Sequence, residues 1–252
     1  MKVLLSALVS LVFLCAAAPL APVQTDGQAE EKKEAKAAEK EEWKGEPYLL
    51  EVCAASGRPL DVKNSRTTRV IEGRELKFCC EGCADVVEEE PEEWIPKVDE
   101  KIAERQAAIY PTAKCVIAGT ELIKDGEDVA EAFVVKNRLF RTCCPSCAKK
   151  VKADPAKYAE KLDQLAARAQ AKDYPLEACL VNEDAELNAK SKKFVIGGRL
   201  LQTCCGRCEG KVRKDPAKYV AKVDAERAKA IAAKRKEKAA EPAEKKKGDG
   251  GL

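Results

Sequence analysis

The apolar positions of the chain fall into three similar blocks. Each block holds an apolar pair, a two-residue turn and a second short strand: V-I-E-G-R-E-L-K-F from Val70, V-V-K-N-R-L-F-R-T from Val134 and V-I-G-G-R-L-L-Q-T from Val195. Gly73, Asn137 and Gly198 occupy the second turn position, where a type I′ hairpin requires positive φ. Helical spacing follows, through Ala84 to Glu89, Ala148 to Ala153 and Glu209 to Lys214. Asp154 and Asp215 then read as N-caps of a second helix, with Pro155 and Pro216 at its first position; Glu90-Pro91 is a weaker version of the same signal. The second helices carry apolar stripes at Trp94, Val98 and Ile102, at Tyr158, Leu162 and Leu165, and at Tyr219 and Val223, a spacing that reads as core packing. The pattern predicts an α+β chain of three small units in tandem, each a β-hairpin followed by two helices.

The blocks are parts of longer repeats. A tyrosine precedes the first cysteine by five positions at Tyr48/Cys53, Tyr110/Cys115 and Tyr174/Cys179. Each hairpin ends in paired cysteines and a third soon after, as C-C-E-G-C, C-C-P-S-C and C-C-G-R-C, and each copy closes with E-P-E-E-W or D-P-A-K-Y. Length varies only between the first cysteine and the hairpin, which marks that segment as a surface loop. The copies run over 47–109, 110–173 and 174–235. With separate hairpins and complete cysteine sets, they read as beads joined by their second helices, the third able to fold alone when reduced and supplied with metal. Residues 1–18 read as an export signal: Lys2, an apolar run from Val3 to Leu14 broken by Ser6 and Ser10, then Ala16-Ala17-Ala18. Residues 19–46 read as a charged linker and 236–252 as a charged tail. Phe13-Leu14 before Cys15 does not fit a lipid-anchored cysteine, and removal of Cys15 with the signal leaves twelve cysteines, four per copy.

Composition narrows the chemistry. The 252 residues include 13 cysteines and no histidine, with aromatics at only 5%. Few large rings and many cysteines point to small units held by covalent or metal staples. The absence of histidine excludes a histidine base, a Ser-His-Asp triad and any histidine ligand, so a metal here is bound mainly by sulfur. No P-loop, dinucleotide fingerprint, H-E-x-x-H or G-x-S-x-G occurs, and no paired acid–base carboxylates stand out, so no enzyme is expected. The net charge of +3 hides a polarity: 47–109 holds nine basic and fourteen acidic residues, whereas 110–173 and 174–224 are each +3.

The cysteine spacing favours metal. One sulfur comes from a loop, the others from the hairpin end and the first helical turn, where free N–H groups stabilise thiolate. Four thiolates suit closed tetrahedral zinc and two or three suit copper(I). The first, second and last cysteine of each copy are the primary candidates: Cys53, Cys79 and Cys83; Cys115, Cys143 and Cys147; Cys179, Cys204 and Cys208. The neighbouring Cys80, Cys144 and Cys205 leave the chain in another direction, so each is a fourth ligand, a buried thiol or a bridge to another copy.

The spacings C-x25-C-x3-C, C-x27-C-x3-C and C-x24-C-x3-C, with the hairpin before and D-P-A-K-Y after, resemble the TRASH/YHS group of treble-clef-like cysteine domains. The resemblance covers about 170 residues in three copies and implies heavy-metal sensing, trafficking or resistance. Two departures stand out: Ala54, Val116 or Leu180 follows the first cysteine where the family usually has glycine, and Cys80, Cys144 and Cys205 stand where it often has serine. The expectation is an exported protein, periplasmic or secreted, holding about one zinc or copper(I) ion per copy, with a metal-handling protein as a further partner. Nucleic acid and a membrane span after signal cleavage are not expected. Two alternatives stay open. An even cysteine count in an exported chain also fits a disulfide framework. The C-x-x-C motifs starting at Cys80, Cys144 and Cys205 also resemble a thiol–disulfide oxidoreductase site, without the strand–helix alternation of thioredoxin.

Overall fold

The order hairpin, helix, helix occurs three times in the computed structural model, which describes residues 43–60 and 67–240, with side chains to 236. The first copy holds β1 (Thr67–Ile71), β2 (Arg74–Phe78), α1 (Glu81–Glu89) and α2 (Pro91–Ala107). The second holds β3 (Ile123–Lys124), β4 (Glu127–Asp128), β5 (Glu131–Val135), β6 (Arg138–Thr142), α3 (Pro145–Ala153) and α4 (Pro155–Ala171). The third holds β7 (Lys192–Ile196), β8 (Arg199–Thr203), α5 (Gly206–Lys214) and α6 (Pro216–Ala240). The described residues thus combine six helices with four two-stranded antiparallel sheets, a mixed α+β architecture. The expected signal segment with Cys15, the linker before residue 43 and the tail beyond 240 lie outside the described residues. No described helix is long and apolar enough to cross a membrane.

The main hairpins close as their turn residues dictate. Ile71 pairs with Arg74, Val135 with Arg138 and Ile196 with Arg199, leaving two residues in each turn. Both have positive φ in every case: Glu72 and Gly73 at 49° and 70°, Lys136 and Asn137 at 45° and 68°, Gly197 and Gly198 at 55° and 78°. That is the type I′ conformation, whose twist matches the strands. The loop after the second copy's first cysteine folds further than the sequence reading allowed. There β3 and β4 pair across Asp125-Gly126, a dipeptide with strong hairpin preference.

Each second helix lies on its own hairpin, starting where proline permits. The Asp154 carboxylate accepts from the Lys157 N–H at 3.4 Å, capping α4, whereas Glu90 makes no side-chain cap on α2. The buried stripe keeps Val98, Ile102, Leu162 and Val223 of the expected one and takes Ile95, Ala159, Ala166 and Val220 in place of the aromatic residues and Leu165. Trp94, Tyr158, Tyr219 and Leu165 are half-buried at its edge. Small and branched residues take the closest approach, and the rings cover the flank; Lys97 Nζ stands 4.4 Å over the Trp94 ring. One arginine per copy, first after the turn, reaches an aspartate 25 residues on: Arg74 to Asp99, Arg138 to Asp163 at 2.6 Å and Arg199 to Asp224 at 3.0 Å.

The copies are not separate beads. Residues 43–240 belong to one compact unit, joined by a contact that repeats. The end of α2 packs on the β5–β6 hairpin, and the end of α4 on β7–β8. Gln106 donates to the Asn137 carbonyl at 2.8 Å and accepts from the Leu139 N–H at 2.9 Å. Gln170 repeats this with the Gly198 carbonyl at 2.7 Å and the Leu200 N–H at 3.0 Å. The segment before the first copy adds a strap. Its Glu46 carboxylate accepts from Arg138 at 3.2 Å and from the Gly197 N–H at 3.0 Å, and Leu49 packs into the third copy's core.

Candidate metal centres

Each centre is assembled from three pieces of local structure. The first cysteine sits in a tight loop: the Cys53 N–H donates to the Arg58 carbonyl at 2.7 Å, and the Cys53 carbonyl accepts from the Gly57 N–H at 3.0 Å. Cys115 repeats both bonds, with Thr120 and Gly119, and the Cys179 N–H donates to the Ala185 carbonyl at 2.7 Å. The bridges Val52–Pro59, Lys114–Glu121 and Ala178–Glu186 clamp these loops from behind. The second cysteine follows the last strand of the hairpin. The last cysteine lies in the first turn of α1, α3 or α5 and is carried inward by helix faces that bury Ala84 and Val87, Ala148 and Val151, or Val212.

The sulfurs of Cys53, Cys79 and Cys83 all lie within 4.8 Å of one another, as do those of Cys115, Cys143 and Cys147 and those of Cys179, Cys204 and Cys208. The second and last sulfurs are 3.7, 3.9 and 3.7 Å apart in the three copies. Sulfurs about 2.3 Å from one zinc ion stand roughly 3.8 Å apart in a tetrahedron. A trigonal copper(I) site requires nearly the same edge, so this edge suits either ion. A disulfide places its sulfurs about 2.05 Å apart, well short of the 3.7–3.9 Å between the second and last sulfurs.

The electrostatics are graded. Burial pushes the Cys53 thiol up, but hydrogen bonds from Ser56 and from backbone N–H groups outweigh it and hold it at about 7. Cys179 is also lowered to about 7 and Cys115 is lowered, in each case by backbone N–H groups acting against burial. Burial and neighbouring thiols push Cys83 and Cys147 up to about 12. Cys204 reaches about 12 through its hydrogen bond with Cys179, then burial. The loop therefore favours thiolate at the first cysteine of each centre, while Cys83, Cys147 and Cys204 are held toward the protonated form. Thiolates at those positions need a cation's charge beside them.

Cys80, Cys144 and Cys205 occupy a different place. They are the N-cap residues of α1, α3 and α5, and their sulfurs stand 3.9, 3.8 and 3.8 Å from the second cysteine of each set. They lie outside the groups that converge within 4.8 Å. Backbone N–H groups at the helix start lower all three, Cys144 to about 7.

Sequence reasoning missed some residues that hold the centres in place. Ser56 Oγ lies 3.5 Å from Cys79 Sγ, and the Tyr110 and Tyr174 hydroxyls accept from the Arg141 and Gln202 N–H groups at 3.0 Å, tying the first-cysteine loops of the second and third copies to their hairpins. The repeated tyrosine five positions before cysteine was the available signal. No family model, curated protein or solved structure matches the chain.

Proposed function

We propose that the chain is a metal-binding repeat protein whose three centres each hold one soft ion, zinc or copper(I), through cysteine thiolates. The observation that carries this is the convergence of three sulfurs at ligand spacing, three times over, in loops that favour thiolate. The hairpin, knuckle-like loop and helix at each centre support a treble-clef-like reading and, with the sequence spacing, a relationship to TRASH/YHS domains. On this reading the protein is not an enzyme. It is exported to the periplasm or beyond and sequesters, delivers or senses metal together with a metal-handling partner.

The test is metal analysis with thiol counting on protein purified without oxidation. The expected result is about three ions per chain, in line with the three sulfur triads. Protein that holds no metal after reconstitution, with its thiols paired as disulfides, contradicts the proposal.

A further inference from the structure

One sulfur in each copy is left over by a three-sulfur centre, and its position is the same three times. The depth of the four cysteines is graded. Cys53, Cys115 and Cys179 are buried; Cys79, Cys143 and Cys204 are half-buried; Cys80 and Cys205 are exposed and Cys144 half-buried. The residues between the fourth and last cysteines are exposed. A Cβ added at Gly82 or Gly206 would meet nothing within 4 Å, so the outer side of the first and third centres is open.

Two distances bear on what this sulfur does. A permanent fourth ligand in a tetrahedron must stand about 3.8 Å from all three other sulfurs. The fourth cysteine meets that distance to the second cysteine, at 3.8–3.9 Å, but lies outside the set in which every sulfur is within 4.8 Å of every other. An ion with bonds of about 2.3 Å to sulfur can touch both members of such a pair at once, without backbone movement.

We propose that Cys80, Cys144 and Cys205 are exchange ligands, which take a soft metal ion from a thiolate complex at the surface and pass it inward to the three converging sulfurs. This rests on the reading of those sulfurs as a metal centre. The transfer is stepwise ligand substitution. A bond forms from the outer cysteine sulfur to the ion as one donor metal–sulfur bond breaks, and the thiol proton leaves to solvent or to the departing thiolate. The second cysteine then bonds to the ion, its proton leaving to the departing donor thiolate or to solvent as the remaining donor metal–sulfur bonds break, while the outer cysteine still holds the ion. The outer bond breaks as the first and last cysteines complete the shell, and the outer thiolate takes up the proton that the last cysteine gives up. The ion keeps its oxidation state throughout, so neither oxidant nor reductant is needed. Release runs through the same steps in reverse.

The test replaces all three, as Cys80→Ser, Cys144→Ser and Cys205→Ser, in the full chain. Serine is a favoured N-cap, so α1, α3 and α5 keep their starts, and circular dichroism checks that they do. Parent and variant are loaded with copper(I) from its glutathione complex, and the ion is withdrawn with a chromogenic copper(I) chelator in a stopped-flow instrument. The expected result is equal copper per chain in both proteins, with loading and withdrawal in the variant slower by roughly tenfold, the scale on which groups beside a metal's ligands act. Equal rates in parent and variant overturn the proposal. Loss of one ion for each replaced cysteine also overturns it, since that marks a permanent ligand. A parent that takes up no copper from glutathione and no zinc from solution overturns the metal reading beneath it.

Discussion

At the scale of single residues, ligation and fold support rest on different side chains, and substitutions should separate them. Cys143→Ser or Cys147→Ser removes one sulfur from the second triad and is expected to lower bound metal by about one ion per chain, read by elemental analysis. Because metal binding supplies folding energy, the same variants should melt earlier in the loaded state. Unchanged stoichiometry in both would remove these residues from the ligand set. Arg138 serves a different purpose: it is buried and holds both Glu46 and Asp163. Arg138→Ala strands two acidic groups and should cost about 3–5 kcal/mol in denaturant titration, with metal per chain unchanged in the folded protein. The cysteine triads were legible in the sequence because ligand spacing is local to a loop, a strand end and a helical turn. The Arg–Asp pairs were harder to see: each partner looks like ordinary surface charge until the second helix folds over the hairpin.

At the scale of elements, turn and cap chemistry was open to reading and packing direction was not. Gly73, Asn137 and Gly198 announced their turns because positive φ is a local steric demand that few residues meet. Trp94 and Tyr158 drew the apolar stripe one residue away from Ile95 and Ala159, because periodicity marks a face without showing which residue lies nearest the sheet. The joints between copies lay beyond reach altogether, since Gln106 and Gln170 sit on helix ends where glutamine normally faces water. Gln170→Ala leaves the Gly198 carbonyl and the Leu200 N–H without this partner and is expected to destabilise the protein by about 1–3 kcal/mol. Ile231, seven residues after Asp224 as Gln170 is seven after Asp163, is 47% exposed. Ile231→Ala should therefore stay within about 0.5 kcal/mol of the parent in the same titration. Equal effects of the two substitutions would mean that the glutamine joint contributes nothing particular.

At the scale of the whole molecule, the first repeat presents a more polar hairpin face than the two that follow. Glu75 stands where the later copies place the buried Leu139 and Leu200, and Val70 is 72% exposed where Val134 packs against the first copy's core. A more polar outer face is what a terminal repeat needs. Reliance between neighbours changes the outlook for fragments. Residues 174–235 alone lose both the Gln170 joint and Leu49, so even with metal they should melt well below the intact chain, and 110–235 should recover part of the difference by circular dichroism. The centres also differ in surrounding charge. Helix α1 carries four acidic and no basic residues, α3 three basic and no acidic, and α5 four basic and one acidic. An anionic metal complex should therefore load the second and third centres faster than the first, by a margin that shrinks as salt is raised. All of this stands on sulfur ligation, which X-ray absorption at the metal edge of the reduced, loaded protein reads directly. The account predicts a shell of at least three sulfurs per ion, at about 2.3 Å for zinc. A shell of oxygen or nitrogen with fewer than two sulfurs per ion would contradict it.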